Sequence, residues 1–267
     1  MMQVMVASVL HARGLVDGAR RRVQTAWRIL HLGAVVLALG LSPSTFRPPW
    51  RHRLAAQVVR AALPLLSWFT LLAAIVCVVI IRIVLVTAQS YGLSQVALDV
   101  VVRVLVLELI PLSAAFAVAL RVSVPLAGEL AHLRQQGLLD RAADPLRSEI
   151  APRALAGVFC VLLLAAVASV VALVLAYLLA HGLSPWALDG YTRLVGHVFS
   201  PAVSLVFVLK TGALALAVSA VPIGSALHGH GGAPADSTLA GLELQGLVRM
   251  LVVMLVIEVA ALAGNYL

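Results

Sequence analysis

From residue 154 to residue 180 the chain carries no charged side chain. Wound as an α-helix, that stretch is about 40 Å long, more than the ~30 Å hydrocarbon core of a bilayer. No other feature constrains the fold as much. In hydrocarbon every backbone N–H and C=O must be satisfied within the protein, and a helix does this inside one segment. Four more stretches have the same character. Residues 61–81 are uncharged, and their helix is expected to continue to about residue 88. Residues 99–120 are apolar apart from Asp99, Arg103 and Glu108. Residues 201–223 contain Lys210 alone, and residues 246–267 contain Arg249 and Glu258.

Composition agrees. Of the 267 residues, 62% are apolar and 11% charged, against roughly 45–50% and about 25% in soluble domains. Nineteen basic and eleven acidic residues cannot coat a water-soluble fold of this size. A soluble enzyme, a disordered chain and a coiled coil are thereby excluded. The sequence predicts an all-α integral membrane protein with five transmembrane helices, spanning about 61–88, 99–121, 154–181, 201–223 and 246–267.

Residues 29–41 form a sixth apolar stretch of about 20 Å, too short to cross. Val23, Trp27, Leu30 and Ala34 recur at helical spacing beside Arg20, Arg21, Arg22 and Arg28. This predicts an amphipathic helix lying in the interface, broken by Pro43, Pro48 and Pro49. The chain thus divides into an N-terminal interfacial segment, 1–60, and a membrane domain, 61–267. The first long uncharged stretch comes behind the arginines, so no secretory signal is expected.

Orientation follows from the basic residues. With the N-terminus inside, segments 1–60, 121–153 and 224–249 hold nine, five and one of them, and the two outer loops hold Arg103 and Arg193. That asymmetry is the positive-inside pattern, and it also accounts for the net charge of +8 without nucleic acid. Five spans then put the C-terminus outside. Residues 89–98 read as a turn. Residues 182–200, with Pro185, Trp186 and Tyr191, read as a short surface helix with an aromatic anchor. The polar segment 121–153 is threaded by Leu126, Leu130, Leu133 and Leu138 at near-helical spacing. It predicts a short amphipathic helix on the cytoplasmic face.

Motifs narrow the chemistry. The single lysine, Lys210, follows Phe207-Val208-Leu209, so no Walker A loop is present and no catalytic residue is expected. Any ATP used is hydrolysed on another chain. His228-Gly229-His230-Gly231-Gly232 has no neighbouring Cys or carboxylate and reads as a turn, not a metal site. Cys77 and Cys160 lie inside apolar runs and build neither a disulfide framework nor a metal motif. No cofactor is expected.

Residues 104–153 read VLVLELIPLSAAFAVALRVSVPLAGELAHLRQQGLLDRAADPLRSEIAPR. The matching positions are Glu108-Leu109 with Pro111, Arg121, Glu129-Leu130, Arg134, Asp144-Pro145 and Pro152-Arg153. Here the chain resembles the MlaE (YrbE) permeases, membrane subunits of MCE-associated ABC lipid transporters. The family pattern is approximately LLRELGP, then AGRxGSAxxAELGxMR, then a short helix ending in (D/N)P, then PR. Gly92, Asp99, Lys210-Thr211 and Gly231-Gly232-Ala233 extend the likeness to about residues 20–267. Departures mark a divergent member. Leu107 stands for the Arg before the Glu, and Ile110, Leu120 and Ser123 stand where the family has glycines. Residues 234–238, Pro-Ala-Asp-Ser-Thr, replace a GVGRATT-like run.

The resemblance implies a permease domain over 61–267 in a bacterial inner membrane, N-terminus cytoplasmic and C-terminus periplasmic. It implies phospholipid as cargo and, as partners, a cytoplasmic ABC ATPase, a periplasmic MCE-domain protein and a second permease copy, identical or related. It places the coupling contact on residues 125–147, with Glu129, Arg134, Asp140 and Arg141 as candidates. A competing reading is a non-transporting scaffold or regulatory paralogue of such a complex. A secondary transporter is disfavoured, since no inverted repeat or pair of broken helices is visible.

Charges inside the spans form the other candidate site. Counted at 1.5 Å per residue from the outer ends, Glu108, Lys210 and Glu258 lie ~13 Å deep and Arg82 ~9 Å. Each alone costs roughly 2.5–3.5 kcal/mol near a helix centre, so they are expected to face one another or a wet cavity. One reading makes them ion pairs that lock the bundle. The other has Arg82 and Lys210 hold a lipid phosphate near Glu108, and the resemblance places the family's Glu near bound lipid. Glu108, Arg82, Lys210, Glu258 and Arg103 are the lipid-binding candidates. Arg121 and Arg153 read as positive-inside anchors. Trp27, Trp50, Trp68 and Trp186 read as interface anchors.

Overall fold

The structure is a computed structural model that describes residues 50–92, 94–137, 150–228 and 239–266, with Trp27, His31, 33–38, Gly40 and Ser42 before them. Helix α1 (Trp50–Ser90) leads into α2 (Ser94–Val101). The path continues through a π-helical stretch, Val102–Leu109, then α3 (Ile110–Val118). A second π stretch, Ala119–Ser123, joins it to α4 (Val124–Gln135). Then come α5 (Ala151–His181), a 3₁₀ turn at Pro185–Ala187, α6 (Leu188–Val198), α7 (Pro201–His228) and α8 (Leu239–Tyr266).

Among the described residues five helical segments are long and apolar enough to cross a membrane: Leu54–Ser90, Val96–Leu133, Ala151–His181, Pro201–Ser225 and Gly246–Gly264. The all-α, multi-pass membrane architecture read from the sequence holds. The outer surface says the same. Leu63, Leu71, Ile75, Val79, Ile83 and Val86 on α1, and Leu205, Val208 and Leu209 on α7, are all exposed. A continuous apolar surface of that extent belongs against lipid tails, not water.

Tight packing comes from small residues, which let helices approach where no hydrophobic drive separates protein from lipid. On α5, Ala165, Ala168, Ala172 and Ala176 recur at helical spacing, and all are buried. Helix α5 packs along α1 and against α7, and α7 packs against α8. A Cβ placed on Gly157 of α5 would stand 2.7 Å from Ser219 Oγ of α7, and one on Gly246 of α8 would stand 2.7 Å from Ser225 Oγ.

The second span differs from expectation. The sequence reading ends it at about residue 121, with a separate short amphipathic helix beyond. Instead the chain stays helical from Ser94 to Gln135. The π stretches explain this: the Val124 N–H bonds Ala119 O, five residues back, where an α-helix would use the fourth. This shifts the ladder just ahead of Pro125, which has no N–H to give. The expected coupling helix therefore begins as a continuation of the span. Its remainder, 138–149, lies outside the described residues.

The expected interfacial helix is described in part. Residues 33–38 are helical, and Val36 is buried with Leu54, Leu130, Leu155 and Ala220. Trp27 and Ala34 are exposed, whereas Val23 and Leu30 lie outside the described residues. At the far end Gly182, at φ 66°, stops α5. Tyr177 donates to Ser184 O at 2.5 Å and Tyr191 donates to Leu173 O at 2.8 Å. These bonds, with the tilted ring contact between the two tyrosines, clasp α6 to the end of α5. Trp186 beside them is almost fully exposed, as expected of an anchor. Burial pushes the Tyr191 phenol up to about 12.

Candidate functional site

The intramembrane site begins with a proline. In an α-helix the carbonyl of Leu107 would accept from residue 111, but Pro111 has no N–H. The backbone passes this point in π geometry, with the Ile110 N–H bonding Leu105 O. Such π turns recur where a helix is re-aimed for function. Leu107 O instead accepts from Lys210 Nζ of α7, at 3.2 Å. The neighbouring side chain, Glu108, takes a second hydrogen bond from the same nitrogen. Glu258 of α8 takes a third, at 2.7 Å.

One ammonium thus ties together three spans. An ammonium has three donors and no acceptor, and all three are used inside the protein. Lys210 is accordingly 3% exposed, while the Glu108 and Glu258 side chains keep 14% and 12%. The trio has one carboxyl more than it has cations. Thr211 sits beside it and returns its hydroxyl to Phe207 O at 2.7 Å, within its own helix.

Of the five lipid-binding candidates, the structure brings together Glu108, Lys210 and Glu258. Arg82 is exposed on α1 and makes no ion pair among the described residues. It fits a cation that snorkels to the interface. Arg103 pairs with Asp99, one turn back, at 3.1 Å. The two-pair arrangement expected of the four charges is replaced by one cation shared between two carboxyls. Leu107 O is the member sequence reasoning missed, and the Pro four residues on was its signal.

Of the coupling candidates, Glu129 is exposed on α4 and stands 3.7 Å from Arg153 at the start of α5. The Arg134 side chain, Asp140 and Arg141 lie outside the described residues, as does segment 229–238.

Compared with known families, the chain matches the model for the permease MlaE over residues 54–263. The match takes in all five spans, the Lys210 trio and Glu129. No curated protein sequence matches the chain.

Proposed function

Since the chain belongs to the MlaE permease family, a family of ABC-type membrane permeases, we propose that it forms the lipid path of a phospholipid transporter. It does so without an ATP site of its own. A cytoplasmic ABC ATPase supplies the energy, a periplasmic MCE-domain protein exchanges the lipid, and a second permease copy completes the path. On this reading the membrane is the bacterial inner membrane, with the N-terminus cytoplasmic and the C-terminus periplasmic, as the distribution of arginines favours.

The observation that carries the reading is the trio on Lys210. Three spans place a polar knot in the bilayer, and such knots are retained where a membrane protein needs them. Its saturated ammonium acts as the lock, holding Glu108 and Glu258 in place. Glu108, the more open of the two, stands at the edge of the lipid path. Coupling runs through α4 and the chain after it, with Glu129, Arg134, Asp140 and Arg141 facing the ATPase. Because α4 continues the second span without a break, a push on α4 is transmitted along that span towards Glu108.

Coexpression with a cytoplasmic ABC ATPase from the same organism tests this reading. The wild type should co-purify with the ATPase and raise its activity in phospholipid vesicles. Arg134→Glu with Asp140→Arg should release the ATPase while the permease remains monodisperse. Retention of the ATPase with unchanged activity rejects the coupling assignment.

A further inference from the structure

At the arginine-rich end of the bundle, α1, α4 and α5 line a half-open cavity of about 450 Å³. It lies at the other end from the trio. Arg153 is in the first turn of α5, whereas Lys210 sits in the half of α7 that starts at Pro201. The charged lining is lopsided. Among the described residues, Arg60 comes from α1, Arg121 from the π stretch before α4, and Arg153 from α5, against one carboxylate, Glu129.

Glu129 pairs with Arg153 across 3.7 Å, with its side chain 67% exposed. Arg60 and Arg121 are exposed and have no acidic partner among the described residues. Arginines that serve only as anchors can snorkel separately into water. Here two separate elements bring Arg60 and Arg121 to one hollow, where their mutual repulsion rewards an anion placed between them.

The rest of the lining changes character with depth. Leu65 and Trp68 of α1 also face the cavity. Trp68 is eight residues, about 12 Å, beyond Arg60 along the helix, and it is largely exposed on the apolar face of α1. The hollow therefore has cations at its water end and an indole and a leucine at its hydrocarbon end. Guanidinium groups suit phosphate oxygens, and the volume suits a headgroup with its glycerol, not a whole lipid.

We propose that this cavity is a binding site for an anionic phospholipid of the adjacent leaflet. Its phosphate lies between Arg60 and Arg121, and its acyl chains leave past Leu65 and Trp68. A soluble phosphate ester would satisfy the arginines alone and leave the apolar end of the hollow unused. The site goes beyond the functional reading above and does not require that the chain transport lipid.

Trp68 provides the reporter. Trp27→Phe, Trp50→Phe and Trp186→Phe together leave it as the one tryptophan of the four. This protein is reconstituted in bilayers of phosphatidylcholine containing brominated phosphatidylglycerol, or brominated phosphatidylcholine as the neutral control. Quenching of Trp68 gives the relative affinity of the two lipids. The expected preference for phosphatidylglycerol is roughly fivefold at low salt, falling to about one in Arg60→Gln/Arg121→Gln. Glu129→Gln, which removes the competing carboxylate, should raise it about twofold. Excess inorganic phosphate should leave it in place. Equal quenching by the two lipids, or a preference that neither variant changes, overturns the proposal. Loss of the preference to inorganic phosphate moves the site to a soluble ligand and also overturns it. None of these readouts involves the ATPase or lipid transfer, so the result stands whether or not the transport reading survives.

Discussion

Replacing Lys210 with Met keeps the length and bulk of the side chain and removes its charge. In the wild type the ammonium serves Leu107 O at 3.2 Å, Glu258 at 2.7 Å and Glu108. The variant leaves two carboxyls facing each other in a nearly closed space, with an unsatisfied carbonyl beside them. Stripping one partner from a buried ion pair costs about 3–5 kcal/mol in soluble proteins. Single polar interactions between membrane helices average only ~0.6 kcal/mol, because the unfolded chain also finds partners in the membrane. Removing all three hydrogen bonds of the ammonium at once, with two like charges exposed to one another, places the cost at about 3 kcal/mol. Unfolding in mixed micelles with increasing SDS measures it. Adding Glu108→Gln and Glu258→Gln to Lys210→Met removes the repulsion and should recover about half the loss. Glu258→Gln alone leaves one neutral Lys–Glu pair and should cost under about 1 kcal/mol. A Lys210→Met protein as stable as wild type, or one that the double glutamine change does not rescue, refutes the lock.

Three further outcomes are expected. Gly157→Ala puts a methyl 2.7 Å from Ser219 Oγ and should lower stability by about 1–2 kcal/mol, part of which Ser219→Ala restores in the same unfolding assay. Tyr191→Phe removes the bond to Leu173 O and should cost about 1 kcal/mol. Because burial raises this phenol from 10.0 to about 12, its stabilisation is complete below about pH 10 and fades between about pH 10 and 12. The wild type should therefore lose its advantage over Tyr191→Phe only in that range, and an advantage that fades at lower pH contradicts the assignment. In a cysteine-free background, single cysteines at Gly92 and Ser184 should react with an impermeant maleimide from outside and those at Ser44 and Gly231 from inside. Outside labelling of Ser44 or Gly231 reverses the topology.

The spans are legible in the sequence because a bilayer imposes length and hydropathy on each helix separately, as the uncharged run from 154 to 180 illustrates. Partners are less so. Depth counting puts Glu108, Lys210 and Glu258 at one level, and they meet. It puts Arg82 near that level too, but depth does not fix which way a side chain points around the helix. Arg82 is exposed on α1. The continuation of the second span through Pro125 is hidden because a proline reads as a break unless a π turn absorbs it. The basic cavity is hidden for a different reason. Arg60, Arg121 and Arg153 are far apart in sequence and each alone looks like an anchor. Only the folded bundle, with α1 packed along α5 and Arg121 lining the same hollow, brings them together.

The central claim is that this chain moves phospholipid under the control of a separate ATPase. Its most direct test is transfer of a fluorescent phospholipid between the permease complex in proteoliposomes and an MCE-domain acceptor, with and without ATP. Transfer should require ATP and the permease, and should be lost when Arg134→Glu/Asp140→Arg uncouples the ATPase. ATP-independent transfer at the same rate, or none in an intact complex that hydrolyses ATP, would contradict the claim.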